Sequence, residues 1–152
     1  MSGAGKKNPK SAEARGPKLP RAAESPRSQF GEAPRWAFRL CDKEKWSLCA
    51  LGIPAGLLEK LASLEGQTWA EIMAASGGKS RGTNSHFIGV CDIIPEAQER
   101  LRQMRIVEDQ LFSLRLTSMG RLWGKLEGGV LHIIWHDARH EICPSGGRGH
   151  AK

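Results

Sequence analysis

From residue 111 onward the chain changes period, and that change constrains the fold more than any other feature. In "LFSLRL" (Leu111 to Leu116), Phe112, Leu114 and Leu116 alternate with Ser113 and Arg115. In "RLWGKL" (Arg121 to Leu126), Leu122 and Leu126 face away from Arg121, Trp123 and Lys125. A period of two marks a strand with one buried face. "EGG" (Glu127 to Gly129) supplies two glycines where a tight hairpin needs positive φ. "VLHIIWHD" follows, with Leu131, Ile133 and Trp135 expected on one side and His132 and His136 on the other. The spacing predicts an antiparallel meander of three strands.

The chain before this point has a helical period. Asp42 is placed to cap a helix over "KEKWSLCAL". "PAGLLEKLASLEG" sets Leu57, Leu58, Leu61 and Leu64 at helical spacing and ends on Gly66. Thr68 and Glu71 have the spacing of a capping box. Pro95 opens "PEAQERLRQMR", with Ala97, Leu101 and Met104 inward and Arg100 and Arg102 outward. "WAFRL" (Trp36 to Leu40) and "HFIGVCDI" read as short extended pieces. "SGGKSRGTNS" (Ser76 to Ser85) reads as a loop without the spacing of a phosphate-binding one. The class is therefore α+β, with N-terminal helices packed on a C-terminal three- to four-stranded antiparallel sheet. The expected organisation is a disordered basic tail over 1–35, one domain over 36–145, and a flexible C-terminal tail over 146–152.

Residues 1–35 hold eight basic and three acidic residues, so they carry five of the chain's seven net positive charges. The domain itself is nearly balanced, which locates any electrostatic attraction to nucleic acid mainly in the tail. No apolar run is long enough to span a membrane, and the N-terminus lacks a signal peptide's apolar core. A mitochondrial transit peptide is a second reading of this basic leader, and a cytoplasmic location is the first. The four cysteines (Cys41, Cys49, Cys91, Cys143) are scattered and form no CxxC pair, so reduced thiols are expected.

The stretch from Arg121 to Ser145 concentrates the reactive side chains. His132, His136, His140 and Cys143 would line one face of a helix, but the segment reads as strand. Along a strand His132 and His136 stand ~13 Å apart and cannot share one ion. His136, His140 and Cys143 could converge only if residues 137–143 fold back. "HEIC" (His140 to Cys143) lacks the second histidine of H-E-x-x-H. Cys143 lies near His140 in sequence, but nothing selects it as a nucleophile over a packed thiol. The alternation points instead to one polar sheet face carrying Arg115, Arg121, Trp123, Lys125, His132 and His136. Such a face offers cations for phosphate, an indole for base stacking and imidazoles for proton transfer. A merely solvated face is the competing reading.

The order of helices followed by "LFSLRLTSMGRLWGKLEGGVLHIIWHDARHEI" (Leu111 to Ile142) resembles the RelE/YoeB/HigB group of small bacterial toxins. The likeness lies in a basic strand leading to a hairpin and then an apolar strand bearing histidine. It covers the C-terminal third, and the chain has no tyrosine to match that group's C-terminal one. The ending, with its W-x-D-x-x-H-E-x-C-P pattern, resembles uncharacterised small bacterial and phage proteins. The toxin resemblance implies a metal-independent, ribosome-dependent mRNA endonuclease that needs no cofactor. Its partners would be RNA or the ribosome, with a cognate antitoxin. Carried over, Arg115 and Arg121 would bind phosphate, and His136 or His140 would move protons. The expected catalytic set is thus His136, His140 and Arg121. The expected nucleic-acid-binding set is Arg115, Arg121, Trp123, Lys125 and His132. A non-catalytic binding module and a small zinc-binding protein are the alternatives.

Overall fold

The computed structural model describes residues 29–50, 52–75 and 85–144. The strands are β1 (Arg35–Ala37), β2 (His86–Gly89), β3 (Gln110–Arg115), β4 (Arg121–Glu127) and β5 (Val130–Asp137); the helices are α1 (Leu57–Leu64), α2 (Trp69–Ala74) and α3 (Pro95–Gln103). The expected α+β class holds, and β3, β4 and β5 form the antiparallel meander. Gly128 and Gly129 both take positive φ (62° and 83°) in its tight turn. Both central residues positive is the geometry that matches strand twist in a two-residue hairpin.

The sheet differs from the expected three- to four-stranded antiparallel one: it has five strands in the order β1-β5-β4-β3-β2, and β1 runs parallel to β5. Three residues of β1 suffice to pair Trp36 with Leu131, because all the intervening chain serves as the crossover. β2 closes the other side, antiparallel to β3.

Helices cover both faces, not one. On the first face α1 and α2 place Leu57, Leu61, Leu64, Trp69 and Ile72 against Phe112, Leu114, Leu122, Leu126, Leu131 and Ile133. On the second, α3 brings Ala97 and Leu101 against Leu111, Trp123, Ile134 and Trp135, joined by Ile142. The Thr68–Glu71 capping box forms as its spacing predicts. Leu58, expected inward, is exposed; α1 starts only at Leu57, after a left-handed Gly56, and its buried stripe is Leu57, Leu61 and Leu64.

No helix follows Asp42. Its carboxylate does accept from the Glu44 and Lys45 N–H groups, at 2.8 and 3.1 Å. The chain then turns at Trp46 (φ 45°), whose carbonyl accepts from His136 N–H while its ring packs edge-on to Trp135. Tertiary pairing here outweighs helix propensity. Arg100, expected outward, folds back and donates twice to Asp42, at 2.7 and 2.9 Å.

The packed structure reaches back past the expected boundary at Trp36. The N–H groups of Trp69 and Ala70 donate to the carbonyls of Glu32 and Phe30, and Phe30 meets Phe87 edge to face. The rest of the basic tail (1–28), the 76–84 loop with Lys79 and Arg81, and the 145–152 tail lie outside the described residues.

Candidate functional site

One residue decides which side chains share a face. In the β4–β5 ladder Gly124 pairs with Ile133 and Trp123 with Trp135, so Ile134 is an extra residue in β5. A bulge of this kind reverses the facing of everything beyond it. Leu131 and Ile133 pack under α1 and α2, whereas Ile134 and Trp135 both pack under α3. His132, opposite Lys125, lies on the α3 face; His136, opposite Leu122, lies on the α1 face.

The expected polar face therefore breaks up. Trp123 is wholly buried in the α3 core and offers no stacking plane to solvent; its indole N–H finds no partner among the described residues. Lys125 and His132 sit near the hairpin. Lys125 there pairs with Glu108 at 3.1 Å and Glu127 at 3.3 Å, and both partners hold its ammonium pKa up. Arg121 lies four residues along the strand, ~13 Å away.

What the register does assemble is a ladder at the other end of the sheet. Arg115, Arg121 and Asp137 stand side by side on β3, β4 and β5, all on the α3 face. The row beside it, two residues along each strand or ~7 Å away, holds His86, Ser113, Trp123 and Trp135. The ladder thus sets Arg115 beside Arg121, and the turn after β5 adds His140; His86, on the outer strand β2, stands one row back and two strands from Arg121.

Each member is positioned by identifiable bonds. The Arg121 guanidinium is almost fully buried and donates to the carbonyls of Thr117 and Gly120, both at 3.0 Å. Thr117 stiffens that loop by accepting from the Gly120 N–H at 2.8 Å. The Arg115 N–H donates to the Ser85 hydroxyl and its Nε to the Thr117 carbonyl. Buried Asp137 accepts from the N–H groups of Glu141 and Ile142, at 2.8 and 2.9 Å. Those two bonds fold residues 138–142 over the edge and hold His140 at φ 61°. A left-handed non-glycine residue costs on the order of 1 kcal/mol, and here the neighbouring bonds offset it.

The electrostatics favour a neutral imidazole. Burial pushes the His140 pKa down, the Arg121 charge pushes it further, and Asp137 opposes both. His136 is also lowered by burial against the pull of Asp137. Arg121 itself is lowered by burial and by Arg115 but remains a cation at neutral pH.

Compared with models of protein families, with curated proteins and with solved structures, the chain matches none.

Of the expected site residues, Arg115, Arg121 and His140 come together. His136 is on the opposite face, and Trp123, Lys125 and His132 are elsewhere. His86, Ser85 and Asp137 were not singled out from the sequence. Asp137 stands in the W-x-D-x-x-H pattern, whereas only strand register puts His86 on the same sheet face, one row from Arg115. Among the described residues no three His, Cys, Asp or Glu side chains gather as a metal site. Cys143, once a partner for His136 and His140, instead approaches the Asp92 carbonyl at 3.7 Å. Among the described residues no helix is long and apolar enough to cross a membrane.

Proposed function

We propose that this protein acts on RNA at the Arg115–Arg121–His140 edge of the sheet, as a metal-independent endoribonuclease of the toxin type. The observation that carries the reading is the ladder of Arg115, Arg121 and Asp137 with His140 folded over it. A neutral His140 is ready to take the proton from a ribose 2′-hydroxyl, whose oxygen then attacks the adjoining phosphorus. The arginines supply fixed positive charge where the pentacoordinate phosphate gains negative charge. The 5′-oxygen leaves with a proton taken from solvent water. The RNA, the ribosome as its carrier, an antitoxin partner and a cytoplasmic location belong to the same proposal.

Expression of the wild type and of His140→Ala in bacterial cells tests it, with growth and transcript integrity followed together. The expected result is arrested growth and cleaved transcripts for the wild type, with recovery in the variant. Loss of one general base costs roughly a hundredfold or more in rate. Intact transcripts under wild-type expression would overturn the proposal.

A second reading, a non-catalytic nucleic-acid-binding module, is favoured by one observation: the Arg121 guanidinium is almost fully buried, and its Nη1 donates to its own loop. RNA retained by both wild type and His140→Ala, with no cleavage by either, selects this reading.

A further inference from the structure

On the opposite face, behind the same 117–120 loop, lies a cleft of about 340 Å³. The first turn of α1 forms one wall, and Leu57, Leu116 and Ala138 contribute apolar surface. Among the described residues the ionisable side chains of the lining are Lys60 and His136, and no carboxylate is among them. We infer that this cleft binds a small organic anion, with an apolar or aromatic body against Leu57 and Leu116 and a single carboxylate or phosphate directed to Lys60 and His136.

The size suits a compact ring system, at the lower end of ordinary small-molecule pockets. The polarity is that of such pockets too: mostly apolar walls with a few convergent polar groups. Charge complementarity selects an anion over a neutral or cationic molecule, because Lys60 is the cationic side chain among the described lining residues and none of them is an acid, while His136, near Asp137 and partly buried, offers a hydrogen bond. The apolar body is selected by the lining itself, in which Pro54, Ala55, Leu57, Leu116 and Ala138 outnumber the polar side chains Lys60, Thr117 and His136. The site is separate from the ladder edge, since His136 and Arg121 lie on opposite faces of the sheet, and the inference does not depend on RNA cleavage.

Titration of the full-length protein with 2-naphthoate, its uncharged isostere 2-naphthamide, and inorganic phosphate tests the inference. Calorimetry would give affinity and amide NMR shifts the location. The expected result is one-to-one binding of 2-naphthoate with a Kd of roughly 0.1–1 mM, as its few heavy atoms allow. The amides of Gly56, Leu57 and Gly120 should shift most. The amide and phosphate alone should bind at least fivefold more weakly, and Lys60→Gln should weaken 2-naphthoate to the same extent. Lys60 is on the helix surface, so an unchanged circular dichroism spectrum will certify the fold of that variant. Equal affinity for the amide, equal affinity of Lys60→Gln, or no saturable binding would each overturn it.

Discussion

Arg121 and Asp137 face each other across β4 and β5, yet each directs its polar atoms to a different loop. The guanidinium donates to the carbonyls of the 117–120 turn before β4, and the carboxylate accepts from the N–H groups of Glu141 and Ile142 after β5. One cross-strand pair thereby fixes both loops that border the candidate site. The charges lie near enough for Asp137 to offset the burial of Arg121.

Asp137→Ala should destabilise the protein by about 2–4 kcal/mol, because it strands two N–H groups, one fully buried. Asp137→Asn retains one acceptor oxygen and should lose about half as much. Urea unfolding midpoints will measure both. An unchanged midpoint in Asp137→Ala would mean that the 138–142 turn is held by other contacts. The same variant should also loosen the turn that carries His140, visible as faster exchange of the Glu141 and Ile142 amides.

Gly124→Ala should cost about 3 kcal/mol or more, since a Cβ there would collide with the backbone carbonyl of His132 at the bulge. The carbonyl cannot move aside without dragging β5. Gly128→Ala is the control: its φ of 62° is strained for alanine, but the space is open. Its loss should stay near 1 kcal/mol. Thermal unfolding of the two variants side by side checks the order, and a Gly128 loss equal to the Gly124 loss would contradict the bulge argument.

Gly124 also shows where the sequence stopped being legible. The hairpin, the meander, the capping box and α3 follow from local chemistry: paired glycines, alternation, Thr68 with Glu71, and Pro95. Alternation could not reveal that β5 carries one extra residue at Ile134, because Ile-Ile-Trp is equally apolar in either register. That residue moved Trp135 and His136 to faces other than those expected. Trp123 looked exposed only while α3 was assumed to lie with the other helices. The pairing of β1 with β5 joins residues nearly a hundred positions apart, and the pairing of His86 with Ser113 closes the far side of the sheet. Neither has a local signature.

Asp42→Ala should destabilise by about 3–5 kcal/mol, as removal of one partner leaves Arg100 and the Trp135 indole facing a void. The carboxylate accepts from Arg100 twice, from Trp135 at 3.0 Å and from two backbone N–H groups. Burial alone would raise its pKa, but these donors hold it far below the usual carboxylate range. Its contribution is therefore complete above pH ~4 and is lost as pH falls through the folded-state value. Acid unfolding of the wild type should show a limb below pH ~4 that is absent from Asp42→Ala. A limb of equal size in both would refute the assignment.

The histidines should produce a separate, earlier limb. His136 and His140 both titrate below the ordinary imidazole value of ~6.5 in the folded protein, chiefly because they are partly buried. The neutral form is thus favoured on folding. Their contribution is complete above pH ~6.5 and is lost as pH falls through the folded-state values, because the unfolded chain binds protons first. NMR titration should place both imidazoles below the histidine of a denatured control. The urea midpoint should decline as pH falls below ~6.5 in the wild type, and less steeply in His136→Gln or His140→Gln. For His140 the same depression bears on the proposed chemistry, since a general base works only while unprotonated. RNA cleavage should be flat near neutrality and fall at acid pH with the pKa that NMR assigns to His140. A cleavage profile that tracks His136 instead would transfer the base to the α1 face and detach it from the Arg115–Arg121 ladder.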